Sequence, residues 1–479
     1  MSLPDVRRLA ELPPARFRAL GLRLTELGAT HQTLAELTGA VLAVPPEQRR
    51  ALRRLHLRRA ASPVADAFRL LFFGDHVNLA QARAALGDEL LDALASVGFV
   101  ERTGDGRVAS AYVLALHGPL YVLADDLARG EDAVAGPDGI DLTCSRASIP
   151  VASVGAALDF ACGSASKALL LAQHASRVVA SDPDARAIAL ARVSAAIGAI
   201  DNVDFRVGDA SALPAGSFDV IVSRGSLGQR EPPPWLSGVA ARLAPGGTCV
   251  LFSEWADAAS APVSRRLRDE SATTALDLLV LGAPSTGIDA RVAAQAHARH
   301  PHVDDDYARA VVALRARFAD RGVETVSPAL VVLRRPRVAR AGWTATVDVR
   351  PFEVLVPSGL RIDRLLSGHD LLHGDDAALL AAELRFPKRT TFDGTRTSVD
   401  PAVTPSLAAR FSERALVRPH ALDAAAFLLL SLVHMSKSVD EAARFTAETW
   451  SISLEEARQR LLPPVRAALA AGALEARTS

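Results

Sequence analysis

Apolar positions recur first at helical spacing: Phe17, Leu20, Leu24 and Leu27, then Leu34 and Leu37, with breaks at Pro13-Pro14 and Pro45-Pro46. This predicts a helical lead-in over roughly residues 4–61. The segments ADAFRLLFFG, NLAQARAALG and ELLDALASVGFVERTGDGRVAS, then AYVLALHG, read as three helices and a short hairpin. The step Gly98-Phe99-Val100 with Gly104-Asp105-Gly106 has the turn chemistry of a β-wing, so a winged-helix module is expected. Its third helix, 90–97, is acidic and apolar, which favours a docking or lid role over DNA readout. After a polar connection, 131–154, apolar runs alternate with helical stretches. AALDF, RVVASD, VDFRVGD, FDVIVSR and GGTCVLFSE are strand candidates; LLLAQHA, PDARAIALARVSAAIG and PWLSGVAARL are helix candidates. That is the rhythm of parallel strands with helical crossovers. ALVVLRRP, 329–336, is expected to close an antiparallel end of the sheet. Short alternating runs in 343–403 (ATVDVRPFEVLVP) suggest a small β-rich segment, and 419–474 returns to helices, with S-x-x-E capping boxes at Ser438/Glu441 and Ser453/Glu456. The expected division is 1–130, 131–340, 341–410 and 411–479.

Composition refines this picture without redirecting it. A chain of 479 residues suggests about three folding units. With 49% hydrophobic and 23% charged residues it is globular rather than disordered. The 54 basic and 54 acidic side chains cancel, so no overall field draws the chain to nucleic acid or to an anionic membrane. The Arg-rich stretch from Arg49 to Arg59 is read as a solvated helix face. Cys144, Cys162 and Cys249 show no CxxC or metal-ligand spacing and are expected to be reduced, as in a cytoplasmic protein. The start lacks the apolar run of a signal peptide, and the longest apolar run, near 424–433, is too short for a bilayer. Apart from Lys167, Lys388 and Lys437 every basic residue is Arg, and Ala is abundant, the bias of a GC-rich bacterium.

The candidate chemistry starts at Leu158-Asp159-Phe160-Ala161-Cys162-Gly163-Ser164-Ala165-Ser166, where a strand gives way to a helix. Small residues there admit a ligand close to the backbone, and the helix start presents free N–H groups. Arg177-Val178-Val179-Ala180-Ser181-Asp182 ends a second strand on a carboxylate able to accept two ribose hydroxyls; its alternative role is to cap a helix starting at Pro183. Val207-Gly208-Asp209-Ala210 places an acid where an adenine amino group could donate. Phe218 to Arg224, and Leu243-Ala244-Pro245-Gly246-Gly247-Thr248, complete five elements in order.

This order, over about 155–336, resembles class I S-adenosylmethionine-dependent methyltransferases. The resemblance implies an α/β fold, a Rossmann-like sheet with an antiparallel end flanked by helical and winged-helix domains. It implies that Asp159, Ala161, Cys162 and Gly163 face the methionine part of S-adenosylmethionine, Asp182 and Pro183 the ribose, and Asp209 with Ala210 the adenine, with Ser223 also at the cofactor. Ala161 and Ala165 stand where the family has glycines. A dehydrogenase is disfavoured because the third glycine of G-x-G-x-x-G is missing. The N-terminal module resembles that of HemK-like bacterial enzymes, but Ser223-Arg224-Gly225-Ser226 replaces their Asn-Pro-Pro-Tyr, which disfavours glutamine or adenine as acceptor.

Ser223, Arg224 and Glu254, with Ser226 and Trp255, are the candidates at the chemical step. Arg224 either clamps a substrate carboxylate or pairs with a neighbouring acid. Tyr112, His117 and Tyr121 are acceptor-side candidates or core residues. His297, His300 and His302 beside Asp304, Asp305 and Asp306 read as an exposed loop, with no metal expected. The C-terminal helices look like a PqqD-type winged-helix module, which would suggest a docked peptide or protein. The expected function is methyl transfer to a small-molecule or carrier-bound acceptor in biosynthesis, with no membrane partner, nucleic acid disfavoured, and a homodimer admitted. The rival readings are a protein or RNA acceptor, and a cofactor-binding regulator or an enzyme performing an intramolecular cyclisation.

Overall fold

The computed structural model describes residues 3–39, 46–130, 132–208, 216–224, 235–257, 274–300, 303–320, 322–349, 358–387, 391–395, 406–410 and 420–477, with Leu267, Asp269 and Ser271. The lead-in folds as helices Pro14–Glu26, His31–Thr38 and Pro46–Arg59. Pro14 suits a first helical turn, where its missing N–H costs nothing, and Thr30 caps the second helix by accepting from the Thr33 N–H. Phe17, Leu20 and Leu24 are buried at steps of three and four residues on one face, which packs on the helix Ala185–Ile197. Gly21 sits at that crossing; a Cβ there would lie 2.0 Å from the Ile197 carbonyl oxygen, so only glycine lets the helices approach.

Strands β1 (Val77–Asn78), β2 (Val100–Arg102) and β3 (Arg107–Ser110) form a small antiparallel sheet in the order β1-β3-β2. The hairpin of β4 (Val113–His117) and β5 (Leu120–Ala124) follows, and Leu120 and Val122 pack on Leu169, Leu170 and Ala195. The connection read as polar contains a helix, Gly139–Ser148, started by a capping box between Asp138 and Asp141. Its Thr143, Cys144, Ser145 and Ser148 are buried, which is why its polar composition hid it.

The main sheet contains β6 (Val154–Phe160), β7 (Ala175–Asp182), β8 (Val203–Val207), β9 (Phe218–Arg224), β10 (Leu243–Asp257), β11 (Asp277–Gly282), β12 (Thr286–Gly287), β13 (Thr325–Arg334) and β14 (Thr344–Asp348). Its order is β14-β11-β13-β10-β9-β6-β7-β8 with β12 beside β13. Strands β6 to β10 run parallel, and β13 is antiparallel to β10 as expected. The sheet does not end at β13, however. Leu278 to Leu281 of β11 are buried and pair with β13, and β14 lies parallel to β11 as an outer strand. A four-residue apolar run without polar alternation is compatible with either a buried strand or a helix, which is why β11 was missed.

The segment 341–410 is accordingly not a separate β-rich piece throughout. Thr344–Asp348 belongs to the main sheet, and Gly359–His373 is a helix that buries Ile362, Leu365 and Leu366. Thr391–Thr395 and Ser406–Arg410 do pair, with His420–Leu422, in a small antiparallel sheet. The last helices, Ala424–Met435, Val439–Trp450 and Leu454–Ala470, share one core around Leu430, Val433, Leu461 and Val465. Ser438 and Ser453 accept from the N–H groups of Glu441 and Glu456 at 3.1 Å, the serine half of each expected capping box. Among the described residues no helix is long and apolar enough to cross a membrane.

Candidate functional site

Because β6, β7 and β9 are parallel and in register, Asp159, Asp182 and Arg224 come to the same C-terminal edge of the sheet, where open α/β sheets bind ligands. The loop leaving β6 is built from three left-handed residues: Ala161 (φ +52°), Gly163 (φ +54°) and Ala165 (φ +61°). Two alanines therefore hold a conformation that glycine adopts without strain, at about 1–2 kcal/mol each. The turn survives because it is tied down from several sides. Cys162 N–H donates to the Ser181 carbonyl at 3.0 Å, and Ala165 N–H to the Cys162 carbonyl at 2.9 Å.

Asp182 is the main tie. Its Oδ2 accepts from Gly163 N–H at 2.8 Å and its Oδ1 from Asp184 N–H at 2.9 Å. The helix that follows is Ala185–Ile197, and its cap is Asp184, which accepts from Arg186 N–H at 2.8 Å. The capping role considered for Asp182 thus belongs to Asp184, and Pro183 is the exposed residue between them. Each Asp182 oxygen retains acceptor capacity at the strand tip.

Asp159 lies deeper, fully buried. Its Oδ2 accepts from Ala168 N–H at 3.0 Å, while Oδ1 is buried without a hydrogen bond among the described residues. Lys167 supplies the countercharge, its Nζ 3.7 Å from Asp159 and 3.8 Å from Asp141. Burial pushes the Asp159 carboxyl up to about 6 against the pull of Lys167. For Asp141 burial is outweighed by Lys167 and by Arg224, and its carboxyl is held below the ordinary range. The two differ because Asp141 also receives Arg224 Nη1 at 2.6 Å. Burial disfavours the Lys167 ammonium, yet Asp159 and Asp141 more than offset it and raise its pKa. Arg224 Nη2 continues the chain to Asp138 at 2.9 Å, so Asp159, Lys167, Asp141, Arg224 and Asp138 form one network from β6 to β9 across the Gly139–Ser148 helix.

Several candidate residues take part in or adjoin that network. Arg224 is engaged by two carboxylates, the ion-pair alternative to a substrate clamp. Ser223 is buried and its hydroxyl donates to the Phe160 carbonyl at 2.7 Å, so its proton holds β9 to the end of β6. His117 is buried with Nε2 3.0 Å from Ser145 Oγ, which itself donates to the Asp141 carbonyl at 2.7 Å. Burial pushes its imidazole down to about 4, so it is neutral and part of the packing. Tyr112 is buried against Phe99, its hydroxyl pushed up to about 12 by burial, and Tyr121 packs on Phe72. Glu254 and Trp255 lie in β10 opposite Pro328 and Ser327, their side chains outside the described set. Asp209, Ala210, Ser226 and His302 lie outside the described residues. His297 meets the Tyr307 ring, Asp304 caps the helix Asp305–Ala319 and Asp306 pairs with Arg309. Among the described residues no group of three His, Cys, Asp or Glu could hold a metal. The three cysteines are buried and free.

Sequence reasoning missed Lys167, Asp138 and Asp141. Lys167 had one available signal, being a lysine in a chain that otherwise uses arginine.

No protein of curated function matches the chain in sequence. Among solved structures, the [4+2]-cyclase SpnF is similar at 21% identity and TM-score 0.33, over 42% of this chain and 85% of that one. The YcgJ protein from Bacillus subtilis is similar at 16% identity and TM-score 0.31, over 41% and 98% of the two chains. A phosphoethanolamine N-methyltransferase from Haemonchus contortus, solved with S-adenosylhomocysteine, follows at 16% and 0.32, over 41% of this chain and 52% of that one. Residues 157–247, from β6 through the loop to Gly247, match the family model described as a methyltransferase domain.

Proposed function

We propose that the chain is an S-adenosylmethionine-dependent methyltransferase acting on a small-molecule or carrier-bound acceptor. The observation that carries this reading is the coupling of the left-handed loop 161–165 to the tip of β7 through Gly163 N–H and Asp182 Oδ2, 2.8 Å apart. It supports a site in which the loop receives the methionine part of the cofactor and the remaining Asp182 lone pairs receive ribose hydroxyls. Asp159, fully buried with Oδ1 3.7 Å from the Lys167 ammonium, keeps toward the methionine part the role that the resemblance implies. Asp209 and Ala210 keep the adenine role that the resemblance implies.

The bound cofactor would supply a methyl group on a sulfonium, open to in-line attack. What this chain's residues contribute is placement, which can account for much of such a rate. Lys167 and the Ala168 N–H hold Asp159; Asp182 holds the loop; Asp138 and Asp141 hold Arg224 at the end of β9. With Ser223 and Arg224 engaged in these contacts, neither serves as the base, and a proton leaving the acceptor passes to another group or to water. The replacement of Asn-Pro-Pro-Tyr by Ser223-Arg224-Gly225-Ser226 supports an acceptor other than a planar amide or adenine.

The test is calorimetry with S-adenosylhomocysteine together with product analysis after incubation with S-adenosylmethionine and candidate acceptors. Binding by the unmutated chain and S-adenosylhomocysteine as product are expected. Absence of binding, or methylthioadenosine as product, refutes the reading.

A further inference from the structure

A cavity lies on the opposite edge of the sheet from the loop 161–165. Its volume is about 810 Å³, and it opens between the β13–β14 connection and the helix Gly359–His373. Gly246 borders it just before Thr248, which pairs with Val220, whereas Arg224 at the other edge pairs with Phe252. At about 3.3 Å per residue, roughly 13 Å of strand separates the two edges, so this cavity is no part of the site around Asp159 and Asp182. A second cavity of about 380 Å³ adjoins it and shares Gly246, Arg337 and Asp363.

One wall is locked in place. Asp370 Oδ1 accepts from Arg340 Nη2 at 2.9 Å, from Trp343 Nε1 at 3.0 Å and from Arg334 Nη2 at 2.5 Å. The fully buried Asp277 accepts from both arginines at 2.6 to 2.9 Å. The Arg334 guanidinium lies over the Trp343 ring, 5.7 Å from its centroid, and the His373 ring is parallel to that ring at 5.6 Å. Arg334 and Arg340 are thereby neutralised by Asp277 and Asp370, and His373 gives the cavity an exposed aromatic surface.

Two charges at the neck between the cavities are different. The stem of Arg337 crosses Gly246 so closely that a Cβ there would meet Arg337 Cγ at 2.9 Å, which Gly246 avoids at φ +82°. Its guanidinium makes no hydrogen bond or ion pair among the described residues, and neither does the Asp363 carboxylate on the facing helix. One cation and one anion, both on exposed side chains, thus border the same opening without pairing with each other. A simple anion would satisfy the first and be repelled by the second; a zwitterion satisfies both.

We infer that this cavity binds a free α-amino acid with an aromatic side chain, its carboxylate on Arg337, its ammonium on Asp363 and its ring against the exposed His373. The volume is within the range of roughly 300–1,000 Å³ typical of small-molecule sites. Charge-assisted contacts of this kind are the stronger class of hydrogen bond. The ligand would occupy a site separate from methyl transfer, and the inference stands whether or not the proposed function does.

The experiment is calorimetry of the full chain with L-tryptophan, tryptamine and indole-3-propionate, on the unmutated protein, Arg337→Ala and Asp363→Asn. Both residues are exposed and unpaired among the described residues, so the thermal midpoint should not move. Saturable tryptophan binding is expected, weakened at least about tenfold by either substitution. Indole-3-propionate should respond to Arg337→Ala alone and tryptamine to Asp363→Asn alone. The inference is overturned if tryptophan shows no saturation below ~10 mM, if neither substitution changes its affinity, or if indole-3-propionate binds as tightly as tryptophan.

Discussion

Replacing Lys167 by Met keeps the stem and removes the buried charge between Asp159 and Asp141. At 3.7 Å from Asp159 and an effective dielectric constant of about 20, the lost attraction is up to about 4 kcal/mol, or roughly three pKa units. In the unmutated protein burial already places the Asp159 carboxyl at about 6, above its ordinary 3.8. A carboxyl raised on folding binds its proton more tightly in the folded state, so stability falls as pH rises from 3.8 to about 6 and is level beyond. That loss is about 3 kcal/mol at 1.36 kcal/mol per unit. In Lys167→Met the falling limb should continue to about pH 8 or 9, because the folded-state value moves up while the unfolded one does not. Urea unfolding from pH 5 to 9 reads this directly. The unmutated chain should be nearly level above pH 6.5, the variant should keep losing stability with pH, and Asp159→Asn added to it should level the profile again. If the variant's curve runs parallel to the unmutated one, the pairing across 3.7 Å is energetically idle and Lys167 does not hold the Asp159 charge.

Three further outcomes follow from the same site. Asp182→Ala should weaken S-adenosylhomocysteine binding by ten- to a hundredfold in calorimetry, since it removes an acceptor for the ligand and the 2.8 Å tie to Gly163; unchanged affinity would contradict the ribose role. Ala161→Gly should stabilise the chain by about 0.5–1 kcal/mol in chemical unfolding, because relief at φ +52° exceeds the entropy glycine adds to the unfolded chain. A loss of stability would mean that the loop is not left-handed there. Asp138→Ala should cost about 1–2 kcal/mol, as the capping box of Gly139–Ser148 and the Arg224 ion pair disappear together. Asp138→Asn should recover most of the cap without the charge.

The contrast between what was readable and what was not has a physical basis in the site itself. The strand–loop–strand succession through Asp159, Gly163 and Asp182 is local: small residues at a turn and an acid at a strand tip are written in consecutive positions, and the structure brings them together at the expected edge. The network that fixes them is not local. Asp138 and Asp141 sit in a helix whose buried face carries Thr143, Cys144 and Ser145 in place of the Leu and Ile that mark an amphipathic helix. They acquire meaning only when Lys167 and Arg224 arrive from elsewhere in the chain. The sheet shows the same division. Alternation predicted β6 to β10, but β11 and β14 pair with partners far along the chain, and neither carries a nearby turn signal that reveals its neighbour. Ala161 and Ala165 present the reverse case. The resemblance marks them as missing glycines, yet both retain positive φ, so the backbone is set by the hydrogen bonds that the loop N–H groups donate to Asp182 and Ser181 rather than by the freedom of the residues that adopt it. The loop is therefore a consequence of β7 as much as of its own sequence, and substitutions at Asp182 should perturb it more than substitutions within it.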